Sequence, residues 1–426
     1  MQGTKDQGTE NHGPGANQVW CAPGNAGIET EAECRNVDLG KSLSILVLAD
    51  SIRPDLVVVG PELPLVVGAA DDLRARGLNV VGPGKAAAQL EGSKVFAKEF
   101  MARNGVPTAK TIAVAEGAAE ARKRLEGISS RVVIKADGLC AGKGVLVSDQ
   151  HEESDQFVRE LAETSAFKSS SGAILLEEAL QGEELSYIIM TDGERFVRMA
   201  PARDYKRLLK GDAGPNTGGM GSYSDDELLP AALEKEIVEK VVRPTLSGLR
   251  KEGLEYRGFL YFGLMLTPDG PKVLEYNCRL GDPETQSIML RADFDLAECL
   301  ASVAAGKLDA NRVRWLTGAS VCVVMASGGY PGPTASEEQI TGLEVSDRAA
   351  DEASAHVFHS GTKKRSDGFY TAGGRVLGVS AFGRDLKTAR EAAYYRVSSV
   401  WFRGNQFRTD IAAAGLNKTE SDAAHG

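Results

Sequence analysis

The sequence predicts a multidomain protein of mixed α/β and α+β class. Three observations carry this. The length of 426 residues is enough for two to four domains. Short β-branched runs alternate with helical patterns in the first eighty or so residues. Two tight turns further on, Asp192-Gly193 and Pro268-Asp269-Gly270, are hairpin turns that call for antiparallel strands. The composition, 42% hydrophobic and 25% charged, is that of a globular protein. With 49 Lys plus Arg against 59 Asp plus Glu, the net charge of −10 argues against a nucleic-acid partner held by diffuse positive charge. The longest apolar runs, such as Leu63 to Ala70 and Val321 to Ala326, fall far short of the ~20 residues of a membrane helix, so no membrane partner is expected.

Met1 to Asn17 is rich in Gly, Gln, Asn and Thr, has no apolar pattern and reads as a disordered segment. It lacks the basic start and apolar centre of a secretory leader. DLVVVG (55 to 60) and LNVVG (78 to 82) read as buried strands around an amphipathic helix from Leu65 to Arg76, which is βαβ grammar. Ser93 can cap a helix carrying Phe96, Phe100 and Met101 and ended by Asn104-Gly105. Between Thr108 and Thr191 strands and helices alternate again: RVVIK (131 to 135), GVLVS (144 to 148), a helix near Glu152 to Glu163, AILLEE (173 to 178) and ELSYIIM (184 to 190). The hairpin FLYFGLML to KVLEYN follows, then a helix around Leu296 to Ala305. ASVCVVMAS, GRVLGVSAFG and a helix from Leu386 to Val400 form a terminal unit before a loose tail. The six cysteines (21, 34, 140, 278, 299, 322) contain no CxxC pair, which suits reduced thiols in a cytoplasmic protein.

Three segments have residues suited to phosphate chemistry. Lys135 to Val145 (KADGLCAGKGV) holds three glycines and two lysines; its amides can close around phosphate oxygens while a lysine adds point charge. It is not the GxxxxGK[ST] loop, and a solvated Gly-rich hairpin serves the pattern equally. Glu275 and Asn277, two apart on KVLEYN, point to one face of a strand, and Arg279 shares it if the strand persists. A carboxylate beside an amide oxygen is a hard ligand pair for Mg²⁺; a solvent-facing polar stripe is the other reading. Asn216 to Gly221, preceded by Arg203, Asp204, Lys206 and Arg207, can form an anion nest or an ordinary loop.

Taken together and in order, the motifs resemble those of the phosphoribosylamine-glycine ligase family of ATP-grasp enzymes, over about Gln18 to Ile411. The carriers are APGNAG (22 to 27), VVGPELPLVVG (58 to 68), LEGSKVFAKEFM (90 to 101), IKADGLCAGKGV (134 to 145), LLEEALQGEELS (175 to 186), GPNTGGMG (214 to 221), LEYNCRLGDPETQ (274 to 286) and VMASGGYPG (324 to 332). The pair LEYNCRLGDPETQ and GPNTGGMG is the most specific.

The resemblance implies an ATP-grasp fold with an N-terminal Rossmann-like domain and a C-terminal β-rich domain. Its units would be 1–17 (disordered), 18–89, 90–318 (ATP-grasp, with a lid over about 108–191), 319–413 and a disordered tail, 414–426. It implies ATP as co-substrate, Mg²⁺ or Mn²⁺, the small-molecule substrates glycine and 5-phosphoribosylamine, and a monomer. Lys94 and Lys135 would hold the α- and β-phosphates under a mobile loop with Gly142, Lys143 and Gly144, Lys143 also acting in catalysis. In the hinge LLEEAL (175 to 180), Glu177 and Leu180 would read the adenine edge beside Glu178, and Glu184, next along the same strand, would accept the ribose hydroxyls. Glu275 and Asn277 would bind the metal, Asn277 also belonging to the catalytic set, and Arg279 would steady the transferring phosphoryl group. Asp204, Asn216, Thr217, Gly218, Gly219 and Met220 would border the glycine and γ-phosphate. Asn25, Gly60, Pro61, Glu62, Asp282 and Glu284 would line the phosphoribosylamine side.

The sequence departs from the family pattern in two places. A first strand and a Gly-rich turn of the type GxGGREHA are expected before APGNAG; here Met1 to Asn17 runs directly into Gln18, so the N-terminal domain is expected to lack its first strand and a phosphate-contacting turn. The acidic metal ligand that many ATP-grasp enzymes carry on the preceding strand corresponds to Gly263. Two alternatives stay open on the sequence: an inactive nucleotide-binding remnant, and another purine-pathway ATP-grasp ligase.

Overall fold

The structure is a computed structural model and describes residues 18–140, 144–168, 171–334, 337–344 and 353–416. The N-terminal region holds two separate parallel pairs, β1 (Trp20–Cys21) with β2 (Glu33–Cys34), and β3 (Val57–Val58) with β4 (Val80–Val81). Among the described residues no strand joins the two pairs. The helix between them, α1 (Ser42–Ile52), is apolar on nearly every side, yet only Ala49 is buried, and Leu43 and Val47 are 69% and 62% exposed. The single helix expected over Leu65 to Arg76 is instead two, α2 (Glu62–Val67) and α3 (Ala69–Ala75), because Gly68 takes φ +95° and turns the chain between them.

A short helix α4 (Gln89–Gly92) leads into α5 (Lys94–Asn104), capped as expected: Ser93 Oγ accepts from the Phe96 amide, and Gly105 ends the helix in a left-handed conformation. A four-stranded sheet follows, β5 (Thr111–Glu116), β6 (Val132–Ala136), β7 (Val145–Ser148) and β8 (Ala173–Glu178), in the order β5-β8-β6-β7. The helices α6 (Ala118–Leu125) and α7 (His151–Glu163) cover one face and bury Ala121, Leu125, Val158 and Leu161 against Ile134 and Ile174. The lid expected over 108–191 therefore ends sooner. ELSYIIM belongs to β9 (Glu183–Thr191), which leaves this sheet and pairs elsewhere, because its run from Leu185 to Thr191 is buried throughout and needs a strand on each side.

The remaining strands are β10 (Phe196–Arg198), β11 (Ala202–Asp204), β12 (Arg207–Leu209), β13 (Ala213–Asn216), β14 (Gly221–Ser224), β15 (Gly258–Thr267), β16 (Gly270–Asn277), β17 (Ala319–Ala326), β18 (Gln339–Ile340), β19 (Ala353–His359), β20 (Thr362–Arg365), β21 (Gly368–Thr371) and β22 (Arg375–Gly383). One nine-stranded sheet runs β16-β15-β9-β11-β14-β17-β22-β19, with β10 beside β9. It crosses the boundary expected near residue 318: β14 pairs with β17, register Ser222 to Cys322. At one end Phe100, Tyr187, Phe262 and Tyr276 pack edge-to-face, the last two rings 5.5 Å apart. At the other, helix Leu386–Ser399 buries Ala389, Ala393 and Val397 against Val321, Val323 and Val379.

Candidate functional site

A cleft of about 1630 Å³ lies where the lid sheet, the long sheet, the N-terminal pairs and the C-terminal strands meet. A smaller cavity of about 130 Å³ opens beside it under the lid. The large cleft is lined by Asn25, Gly60, Pro61, Glu62, Lys135, Glu177, Glu178, Leu180, Glu184, Asp204, Asn216, Thr217, Gly218, Glu275, Asn277, Arg279, Asp282 and Glu284, and the smaller by Lys94 and Gly144 among others. Residues as far apart in sequence as Asn25 and Arg375 are thus brought together. Gly142 and Lys143 lie outside the described residues.

At one end four lysines alternate with three glutamates. Lys94, at the start of α5, donates to the Gly138 carbonyl in the lid loop at 2.9 Å. Lys135 on β6 meets Glu177 Oε2 at 2.7 Å and the Leu274 carbonyl at 2.9 Å. Lys206 bridges Glu184 (3.0 Å) and Glu275 (3.5 Å). Burial acts to raise the Glu275 carboxyl, but Lys206, Lys135 and Lys94 outweigh it and hold the group below the usual carboxylate range. Burial also pushes the Lys135 ammonium down to about 8. Glu178 accepts from the Lys110 amide at 2.8 Å, which fastens the hinge. Glu184 is not on the strand of Glu177 and Glu178; β8 ends at Glu178, and Glu184 opens β9 in the other sheet, so the hinge lies between them. Lys98 has no role of its own in the sequence reading, because nothing in its local pattern distinguishes a cleft lysine from a solvated one, and Lys206, expected beside the Asn216 to Gly221 turn, here bridges Glu184 and Glu275.

Glu275 and Asn277 share one face of β16, and both line the cleft. Gly263 stands directly opposite Glu275, where a Cβ would come within 3.1 Å of Glu275 Cγ, so a side chain on β15 there would require Glu275 to shift. The described residues hold no cluster of three His, Cys, Asp or Glu able to hold a metal. The donor set, one ionised carboxylate and one amide oxygen without a side-chain partner among the described residues, suits a hard cation that completes its shell with water and phosphate oxygens.

At the other end arginines replace lysines. β16 stops at Asn277, so Arg279 reaches the cleft from the following turn. Its Nε meets Glu62 Oε2 at 3.2 Å and its Nη2 meets Glu91 Oε1 at 3.0 Å. Glu91 is buried, accepts from the Cys278 amide at 2.7 Å, and is raised to about 7 by burial against the opposing pull of Arg279. Arg375, at the start of β22, donates to the Gly218 carbonyl (2.5 Å) and pairs with Asp282 Oδ2 (2.7 Å); Tyr330 Oη accepts from the Gly218 amide at 3.0 Å. Asp204 is raised well above the usual carboxylate range by burial and by Glu284, and its Oδ1 is buried without a hydrogen bond. Glu284 in turn accepts from Ser186 Oγ at 2.8 Å.

Three of the expected site residues also have a part in the fold. Asn25 is spent on structure: its Oδ1 accepts from the Gly27 and Ile28 amides at 3.0 Å, and its Nδ2 donates to the His359 carbonyl at 2.7 Å. Gly219 and Met220 are buried and line neither cavity. At φ +104° a Cβ on Gly219 would overlap Pro283 and sit 2.8 Å from Asp204 Oδ1, so the residue lets the turn lie against the 282–283 loop. Met220, fully buried, seats the start of β14.

Comparison with known proteins decides the family. Models of the phosphoribosylglycinamide synthetase N domain, ATP-grasp (A) domain and C domain match residues 10–91, 92–285 and 320–414. The chain belongs to the phosphoribosylglycinamide synthetase family. It is 42% identical over 412 residues to the phosphoribosylamine-glycine ligase of Vibrio cholerae, covering 96% of this chain and 95% of that one. It is 44% identical over 402 residues to that of Streptomyces coelicolor, covering 94% of each. The crystal structure of the Thermotoga maritima phosphoribosylamine-glycine ligase aligns with a TM-score of 0.79 and 37% identity, over 93% of this chain and 94% of that one. A biotin carboxylase from Campylobacter jejuni, at 16% identity and TM-score 0.68 over 92% of this chain and 87% of that one, shares the fold. Among the described residues no helix is long and apolar enough to cross a membrane.

Proposed function

We propose that the chain joins glycine to 5-phospho-D-ribosylamine using ATP, giving N1-(5-phospho-D-ribosyl)glycinamide, ADP and phosphate in purine biosynthesis. The observation that carries this reading is one cleft with lysines and a hard-ligand pair at one end and an arginine-held pair of Gly-rich and acidic turns at the other, in a chain similar over its whole length to named ligases. A carboxylate resists attack by an amine, so glycine is first phosphorylated; the amine then attacks glycyl phosphate, phosphate leaves, and the new amide nitrogen loses a proton.

The chain's task is positioning and charge neutralisation. Lys94 and Lys135 draw the α- and β-phosphates toward the strand bearing Glu275. The Glu177 carbonyl and Leu180 amide read the adenine edge, and Glu184 takes the ribose hydroxyls. Arg279, fixed between Glu62 and Glu91, faces the transferring phosphoryl group. Glu275 and Asn277 would hold Mg²⁺ or Mn²⁺, which supplies neutralisation of the polyphosphate when bound. Thr217, which donates to the Lys206 carbonyl, and Gly218, held by Arg375 and Tyr330, border glycine; Glu62, Asp282 and Glu284 border the amine. Asn216 Nδ2 donates to the Val145 carbonyl at 3.4 Å, a contact that brings the lid over the glycine turn and helps keep water from glycyl phosphate. A monomer and a cytoplasmic location go with this reading.

The test is ADP release with glycine, measured with and without phosphoribosylamine. Turnover that needs both substrates is expected, lost with a chelator and restored by Mg²⁺. Turnover independent of the amine, or none from a folded chain, would overturn the reading.

A further inference from the structure

Lys98, one helical turn after Lys94 on α5, is only 7% exposed. Its Nζ has three oxygens within 2.7 Å: Thr108 Oγ1 (2.7 Å), the Ala109 carbonyl (2.5 Å) and Glu177 Oε1 (2.5 Å). Thr108 and Ala109 take two of its N–H bonds and Glu177 Oε1 stands in ion-pair contact without accepting a hydrogen bond, so Lys98 is held by the protein interior and lies behind Lys135 as seen from the cleft. Glu177 is 1% exposed and turns its second oxygen to Lys135 at 2.7 Å. Lys135 has the Leu274 carbonyl as its other partner, which leaves one of its three N–H bonds without a protein acceptor among the described residues, in a side chain that lines both cavities. The row Lys98, Glu177, Lys135 therefore crosses from α5 through β8 to β6. It ties the body to the lid, with a lysine enclosed by protein oxygens at one end, its ammonium pushed down to about 7 by burial and by Lys135, and a partly free lysine at the other.

A buried carboxylate shared between two ammoniums attracts each less than an unshared one would. Without Lys98, Glu177 would face Lys135 alone and draw it away from the phosphates.

We propose that Lys98 is a positioning residue for nucleotide binding: by sharing the Glu177 carboxylate it keeps Lys135 placed to meet the polyphosphate. The inference deepens the ligase reading and rests on it only for the identity of the nucleotide.

Binding of Mg-ATP alone, by calorimetry on the full chain without glycine or amine, tests it. Lys98→Gln is expected to weaken Mg-ATP at least tenfold and to raise the ATP KM accordingly, with the glycine KM within twofold of wild type. Lys98→Arg keeps a positive charge beside Glu177 and is expected to bind Mg-ATP within threefold of wild type. Lys98→Gln with unchanged affinity overturns the proposal, as does a rise in both KM values together. If Lys98→Gln does not fold, Lys98→Met decides: tenfold weaker Mg-ATP binding by the folded chain supports the proposal, whereas unchanged affinity, or no folded chain, overturns it. A wild-type chain that binds Mg-ATP but does not ligate glycine overturns the ligase reading alone.

Discussion

The two ends of the cleft handle charge with different side chains. At the nucleotide end Lys94, Lys98, Lys135 and Lys206 face Glu177, Glu184 and Glu275; at the acceptor end Arg279 and Arg375 face Glu62, Glu91 and Asp282. A lysine is a point charge on a flexible stem and can leave one oxygen for another, whereas an arginine fork fixes two partners in one plane. The nucleotide end is therefore suited to exchanging protein carboxylates for phosphates. The acceptor end is suited to holding loops from three parts of the chain in one arrangement.

Substitutions can break this contrast to different degrees. The largest effect is expected from Glu275→Ala, which leaves three lysines without their common carboxylate and removes a metal ligand: kcat should fall roughly 10³-fold with the melting temperature little changed. Next is Gly219→Ala, which places a Cβ against Pro283 and Asp204 in a conformation that disfavours it; a loss of about 2 kcal/mol in denaturant unfolding and a raised glycine KM are expected. Arg375→Lys keeps the charge but loses the fork between Gly218 and Asp282; it should raise the KM for glycine and the amine about tenfold, a loss of ~1.4 kcal/mol, and leave the ATP KM unchanged. An equal change in all three KM values would erase the proposed division of labour.

The smallest effect is expected from Glu91→Gln, read through pH. Burial holds the Glu91 carboxyl at about 7 when folded, against 4.5 as its ordinary value. Between these values the folded chain keeps a proton that the unfolded chain has lost, so this group's contribution is full below about 4.5 and fades as pH rises through 7. The glutamine variant lacks that loss. Its melting temperature relative to wild type should therefore rise from pH 5 to 7.5, and a gap that stays flat would count against the assignment.

The two ends also differ in how far the sequence reveals them. The nucleotide end rests on local signals: Ser93 caps α5 and thereby places Lys94, and the two-residue period of β16 puts Glu275 and Asn277 on one face. Strands β6, β15 and β17 follow their apolar patterns closely, since each is buried along most of its length. The lid's end was not legible, because β9 is apolar enough for either sheet and only its partners β11 and β15 decide. The acceptor end depends on contacts that no local pattern encodes. Glu91 follows an ordinary helical turn, and Arg375 opens a strand, yet each acts on a residue 93 or more positions away. Met220 shows the opposite limit: it stands inside a Gly-rich motif, yet its apolar side chain lies in the interior.

The long sheet has a further consequence, for modularity. Family models separate an ATP-grasp domain from a C domain, but β14 lies hydrogen-bonded between β11 and β17, and β17 belongs to the second of those units. A cut near residue 318 would give two fragments, each with a fresh sheet edge open to foreign strands, the polar β14 on one and the apolar β17 on the other. Neither half is then a self-sufficient building block. Co-expressed, the two would serve each other as the missing neighbour, so a split version of the chain should regain its cleft only when both pieces meet.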